Sequence, residues 1–584
     1  MPELLNVARR LVSMAERFPD TVAIAESFPK RRGEKRRYKT VTFARLNAES
    51  DEIARALAHS GVMPGMRLVL MVRQGIDFIT LFYGILKAGA VVVLIDPGMG
   101  MRRMIDCLAD AEPDGFIAIP AVHAVRCFFR KRFLKARFHL TAGPRWFWGG
   151  LSLQAIRKQP YGGPFLIPTG PDAPAAIIFT SGSTGTPKGV LYTHRVFDTQ
   201  VHEVAERFGI EPGGIDLAGF PFFGLFNAAM GTTAVIPEMD PTRPAKVDPE
   251  MFLEIADDWH ITQSFGSPAL WNRVCSYCER HGRKFATLKR CILAGAPISP
   301  VLLERVTKIL ADGGEAYTPY GATEALPVAA IGAADVLGET AARTREGEGI
   351  CVGKRFGGIA WKIIRIVDEP IASLDQIHEL PPGEIGELIV SGPQVTRRYV
   401  TGEDDANARA KIPETTPITE TPITEGDGER DSNQTGVWHR MGDVGYLDEQ
   451  DRFWFCGRKG HRVETTEGPL YSIPCEAIFN RHPKVYRSAL AGASQEGTLF
   501  CIPWVFIEPY PGDFPKNGKE RLRLIDELRE LARASPLTSG IEHLTLLRRF
   551  PVDVRHNAKI NREKLSDDAT ALLNDVPCPA KNEP

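Results

Sequence analysis

The chain has 584 residues, more than one ordinary domain holds, and its 43% apolar and 24% charged residues are the balance of a soluble globular protein. A formal charge of −1 gives no global reason to expect nucleic acid as a partner. Ten cysteines over this length argue against a disulfide scaffold. The start of the chain lacks a basic region followed by an apolar core, and no run reaches about 20 uninterrupted apolar residues, so a cytoplasmic protein without a membrane-spanning helix is expected.

In chain order, Arg67 to Val72 is a nearly continuous apolar run, read as a buried parallel strand. Helical spacing follows over 76–87, then a second apolar strand over 90–95. Residues 128–138 are basic with interleaved aromatics, and Trp146-Phe147-Trp148 comes soon after. An amphipathic helix packed on its own domain, its charges in water, is expected there; the other reading is a docking surface for a membrane or an acidic partner. Strands over 175–180, 215–220, 264–266 and 290–294 alternate with helices over 197–208, 249–259, 268–280 and 300–310. Cys275 and Cys278 read as helix cysteines, since no second pair completes a zinc site. The alternation implies an α/β architecture with largely parallel sheets. Residues 402–435 are acidic and Pro/Thr-rich and repeat Thr-Pro-Ile-Thr-Glu, which predicts an exposed, mobile insertion. Beyond Gly457-Arg458, strands over 488–490, 499–506 and 543–547 and a charged helix over 519–534 suggest a small α+β domain spanning 458–584, after a large one spanning 1–457.

The most informative stretch is Thr180-Ser181-Gly182-Ser183-Thr184-Gly185-Thr186-Pro187-Lys188-Gly189, between apolar strands. Glycines let successive N–H groups face an anion, hydroxyls add donors and Lys188 adds a mobile positive charge, which together make a cradle for polyphosphate. The pattern is not the Walker loop, because Lys188 is followed by Gly189. Downstream, Ala294-Gly295-Ala296-Pro297 ends a strand with a small-residue turn, Tyr320-Gly321-Ala322-Thr323-Glu324 offers an aromatic face, a hydroxyl and a carboxylate, and Gly442-Asp443-Val444-Gly445 sets an acid between glycines. Arg458 and the stretch Asn557-Ala558-Lys559 complete the set.

In this order the motifs resemble the adenylate-forming superfamily of acyl-CoA synthetases, luciferases and adenylation domains, over about residues 10 to 570. The resemblance implies a large N-terminal domain and a small mobile C-terminal domain with the site between them, and ATP and Mg²⁺ as cofactors. Thr180 to Lys188 would hold the phosphates. Gly295, Ala296, Tyr320 and Gly321 would frame adenine, Thr323 would contact the α-phosphate and Glu324 would bind Mg²⁺. Asp443 and Arg458 would take the ribose, and Lys559 would bridge carboxylate and α-phosphate during adenylation.

Two departures bear on the second half-reaction. Phe220-Pro221-Phe222-Phe223 lacks the histidine that many acyl-CoA synthetases carry there, and the hinge reads Gly457-Arg458-Lys459-Gly460-His461, with His461 near the usual aspartate. Over Phe179 to His194, Tyr320 to Pro327 and Arg555 to Asn561 the chain resembles more narrowly the bacterial olefin-biosynthesis β-lactone synthetases. This likeness implies activation of a long-chain 2-alkyl-3-hydroxy fatty acid, ring closure by the substrate's own β-hydroxyl, and other olefin-biosynthesis enzymes as partners in an assembly. Phe222, Phe223 and Phe226, with Met230 and Trp271, could line an alkyl pocket or equally be core, and His194 is a candidate base, although a residue packed behind the phosphate loop is the expected reading there. The rival readings are a long-chain acyl-CoA ligase, recognised by a coenzyme A thioester product, and a non-catalytic scaffold, opposed by the intact Lys188, Glu324, Asp443 and Lys559.

Overall fold

The computed structural model describes residues 4–31, 33–158, 162–180, 187–220, 224–414, 436–495, 497–552 and 560–574. Two large sheets carry most of the chain. In the first, of seven strands, Leu151–Ser152, Phe138–Thr141, Gly115–Ala118, Arg67–Met71, Val91–Leu94 and Pro174–Phe179 are parallel neighbours, and Gly189–Thr193 closes it antiparallel. The second has 14 strands. Its parallel half runs from Val22–Ser27 through Gln263–Gly266 and Arg290–Leu293 to Glu315–Ala322, and its other half, to Arg452–Arg458, is antiparallel.

Burial explains the apolar runs. Helix Ile76–Lys87 is buried at every residue but Asp77, so it needs no polar face, and its terminal Lys87 is matched by Asp51 at 2.7 Å. Three helices of the large sheet start alike: Asp248, Ser267 and Ser299 accept from a first-turn amide while proline takes the first helical position, where its missing N–H costs nothing. Cys275 and Cys278 lie buried in helix Pro268–His281, and burial pushes their thiols up to about 12 and about 11. The C-terminal part builds a three-stranded sheet of Val485–Ser494, Cys501–Pro509 and His543–Leu546, flanked by helices Ser472–Phe479, Gly518–Arg533 and Arg562–Leu573.

Two expectations change. Residues 128–138 are not one helix: helix Pro120–Phe128 stops, a single 3-10 turn Arg130–Arg132 follows, and Phe133 and Ala136 are buried in the core with Phe129 and Phe138 partly buried against it. Three successive cations without acids one turn away offer a helix no side-chain support. The insertion also begins later than 402. Helix Glu403–Ala410 and strand Lys411–Pro413, paired to Val437–Leu447, belong to the large sheet, and 415–435 lie outside the described residues.

Candidate active site

The phosphate loop springs from the hairpin of Pro174–Phe179 and Gly189–Thr193, where Phe179 pairs with Gly189. Its mouth is pinned twice. The Thr180 amide donates to the Lys188 carbonyl at 3.0 Å, and the Lys188 amide donates to Thr180 Oγ1 at 3.1 Å. Residues 181–186, with Ser181, Gly182, Ser183, Thr184, Gly185 and Thr186, lie outside the described residues.

Thr323 and Glu324 are the two turn residues between antiparallel strands Glu315–Ala322 and Ala325–Gly332, so the hairpin itself thrusts them forward. Gly321 is needed just before the turn, because a Cβ there would stand 2.6 Å from the Ala325 carbonyl oxygen. This turn belongs to the 14-stranded sheet and the phosphate loop to the other, and side chains tie them. The Tyr192 hydroxyl donates to the Thr323 carbonyl at 2.5 Å. A strap, residues 395–401, crosses the seam. Its Thr396 amide donates to the Glu324 carbonyl at 2.8 Å, and its Val400 amide donates to the Gly189 carbonyl at 2.8 Å. Thr401 Oγ1 accepts the Gly189 amide at 2.7 Å.

Two residues that the sequence reading missed meet at the strap, Tyr399 from the strap itself and Lys411 from strand Lys411–Pro413. Tyr399 donates its hydroxyl to Glu324 Oε1 at 2.7 Å, and burial, then the Glu324 charge, raises its phenol. Lys188 Nζ stands 5.1 Å from the centre of the Tyr399 ring and Lys411 Nζ 5.5 Å. Lys411 is buried, donates to the Thr396 carbonyl and is pushed down to about 7 by desolvation, with Glu324 opposing. Its only sequence signal is a lone lysine in the short apolar run Ala410-Lys411-Ile412 at the rim of the acidic stretch.

Asp443 and Arg458, fifteen positions apart, are direct cross-strand partners. Arg458 donates to Asp443 Oδ1 at 2.7 Å, and the Tyr320 hydroxyl donates to the other carboxylate oxygen. Burial raises the Asp443 carboxyl while Arg458 and Tyr320 pull it back, and the Asp443 charge holds Arg458 firmly protonated. The Tyr320 ring leans on Phe453 and Phe455. Gly295, at φ +95°, ends the neighbouring strand with open space where a Cβ would be, and Ala296 follows, which is room for a flat ring against the backbone.

Three groups of the site therefore meet along one seam: a pinned phosphate loop, a turn presenting a hydroxyl and a carboxylate, and a buried acid–arginine pair beside a tyrosine. Residues 12–400 match the AMP-binding enzyme family. The chain belongs to that family. Among its curated relatives are an olefin beta-lactone synthetase of Stenotrophomonas maltophilia, 42% identical over 97% of this chain and 98% of the relative, and one of Xanthomonas campestris, 41% identical over 97% and 98%. Among solved structures, the amide bond synthetase McbA of Marinactinospora thermotolerans superposes at TM-score 0.73 and 20% identity, covering 96% of this chain and 99% of that one.

This AMP-binding enzyme does not use every residue expected of it. His194 sits at the opposite end of strand Gly189–Thr193 from the phosphate loop, roughly 17 Å away, where its amide bonds to Ala173. Its Nδ1 accepts the Val7 amide at 3.2 Å, and burial pushes the imidazole down to about 4. It is a fully buried core residue, packed behind the loop's hairpin. Trp271 packs between Phe252 and Phe285 and Met230 lies in a core cluster, so neither lines a pocket. Phe226 is partly buried against Phe197, while Phe222, Phe223 and Lys559 lie outside the described residues. At the hinge, Lys459 bonds Glu387 at 3.2 Å and Arg462 bonds Asp368 at 2.7 Å, and burial pushes His461 down to about 4. Among the described residues no group of three or more His, Cys, Asp or Glu is placed to cage a metal. Glu324, one carboxylate beside a phosphate loop, fits Mg²⁺, which binds through few carboxylates and substrate phosphates.

Proposed function

We propose that this enzyme joins a long-chain 2-alkyl-3-hydroxy fatty acid to ATP and closes the acyl-adenylate to a β-lactone. The convergence of Lys188, Thr323–Glu324 and Asp443–Arg458 along one seam supports adenylation. The near full-length identity to two olefin beta-lactone synthetases supports the second step. In the first step a carboxylate oxygen bonds to the α-phosphorus and the bond to pyrophosphate breaks. Lys188 and the loop hydroxyls bind the leaving pyrophosphate, Thr323 positions the α-phosphate, and Asp443 with Arg458 holds the ribose. Glu324 would hold Mg²⁺, which would neutralise phosphate charge when bound, and Lys559 offsets the negative charge that builds as carboxylate meets phosphate. In the second step the β-hydroxyl oxygen bonds to the acyl carbon, its proton leaves, and the bond to AMP breaks. The nucleophile is already tethered in the substrate, so proximity replaces a second bound reactant.

Mass spectrometry of a reaction with ATP, Mg²⁺ and a synthetic 2-alkyl-3-hydroxy acid should show AMP, pyrophosphate and a product lighter than the acid by one water, with or without coenzyme A. AMP formation that requires coenzyme A would sink the lactone reading in favour of an acyl-CoA ligase. Lys559→Ala should slow adenylation by about 100-fold or more; wild-type rates in that variant would remove Lys559 from the mechanism.

A further inference from the structure

Residues 115–170 contain no Asp or Glu and nine Lys and Arg, in a chain whose charges balance only when taken as a whole. They include the three outermost strand and loop segments at one edge of the seven-stranded sheet. Large apolar side chains stand in water on the same edge: Phe128 is 83% exposed, Leu134 81%, Phe147 81% and Trp146 58%. No other aromatic side chain among the described residues is more than half exposed.

Helix Pro120–Phe128, about 13 Å long, joins these features into one strip. At its first turn His123 stacks on buried Trp148 at 5.5 Å, and Trp148 in turn supports Trp146 and Phe147, each at 5.3 Å. At its last turn stands Phe128, braced by Phe129 at 5.0 Å, followed by Arg130, Lys131, Arg132, Leu134 and Lys135. The aromatic tips thus rest on a rigid, packed base: the indole of Trp148 donates to Thr141 Oγ1 at 2.9 Å, and Phe133 is buried against Phe116. Among the described residues Asp106 and Asp114, from the preceding helix and turn, pair with Arg132 and Lys135, and Glu49 and Asp77 pair with Arg157 further along.

We propose that this edge is a docking surface for an anionic lipid bilayer, its cations meeting the headgroups while Phe128, Leu134, Trp146 and Phe147 enter the boundary between headgroup and acyl chain. Separate apolar projections, each flanked by cations, suit a surface that yields around them and carries negative charge throughout. An acidic protein would answer the charge and leave four bulky apolar groups to be matched by pockets of its own. The surface lies outside the adenylating seam and does not depend on which acid that site takes.

Flotation of the full chain with phosphatidylcholine vesicles, with and without phosphatidylglycerol, tests this. The chain should float only with phosphatidylglycerol present, and less as salt rises. The triple variant Phe128→Ser, Leu134→Ser, Phe147→Ser and the double variant Arg130→Gln, Lys131→Gln should each bind about tenfold more weakly, with adenylation unchanged. Equal recovery with and without phosphatidylglycerol, or salt-independent flotation of the unaltered chain, overturns the proposal whether or not the variants fold. Retention by poly-glutamate without flotation would assign the surface to an acidic protein and overturn it equally.

Discussion

Tyr399 touches three charged groups of the site at once. Its hydroxyl holds Glu324, and its ring faces the ammonium groups of Lys188 and Lys411. Tyr399→Phe keeps the ring and drops the hydroxyl, so Glu324 loses the donor that aims it. A hydrogen bond to a charged group is worth about 1.5–3 kcal/mol, so adenylation at low Mg²⁺ should fall by roughly 10- to 100-fold and recover in part as Mg²⁺ is raised. A magnesium titration of ATP–pyrophosphate exchange reads this directly, and an unchanged magnesium dependence would refute it. Asp443→Asn keeps the size of the side chain but removes the charge facing Arg458 and the acceptor strength that a ribose hydroxyl needs. The KM for ATP should rise about tenfold or more, with little change for the fatty acid. Residues such as Asp443, Glu324 and Lys188 were legible in the sequence because each sits in a short contiguous motif whose chemistry is local. Tyr399 and Tyr192 were not, since each acquires its role through a partner more than 70 positions away.

At the scale of elements, the strap of residues 395–401 does what neither sheet can do alone. Thr401→Val leaves the Gly189 amide buried without its acceptor, at a cost of about 1–3 kcal/mol. Hydrogen exchange at Gly189 should quicken and the affinity for ATP should drop, while the rest of the large sheet keeps its protection. Exchange unchanged at Gly189 would show that the mouth of the loop is held by Thr180 and Lys188 alone. Repeated strand and helix patterns made the parallel halves of both sheets readable, because buried strands are continuous apolar runs and Ser-Pro or Asp-Pro marks helix starts. The stretch around 403–413 misled the eye. Its acidic helix has the composition of the sequence that follows it, and the long-range pairing of Lys411, Ile412 and Pro413 with His439, Trp438 and Val437 shows that it belongs beside the sheet.

For the whole molecule, buried imidazoles set the response to acid. His139, His194 and His461 are each held near 4 by burial, against an ordinary value near 6.5. Between those values the unfolded chain binds protons that the folded one refuses, so stability is full above about 6.5 and is lost as the pH falls toward 4. Burial lowers His123 and His439 as well, while Asp216, raised by burial to about 7, works the other way. The denaturant midpoint should therefore fall between pH 7 and pH 5. His194→Gln, which keeps an acceptor for the Val7 amide, should flatten the slope by up to ~1.4 kcal/mol per pH unit; an identical slope in that variant would mean that His194 titrates normally. The two-sheet seam carries a different consequence. A single short segment bonds both the mouth of the phosphate loop and the carboxylate turn, so a ligand at one corner that shifts this segment would change the free energy of binding at the other, and thermodynamic reciprocity would make the exchange equal in both directions. Pyrophosphate and the metal would accordingly depart as a linked pair, and the order in which products leave would be written into the backbone of the strap.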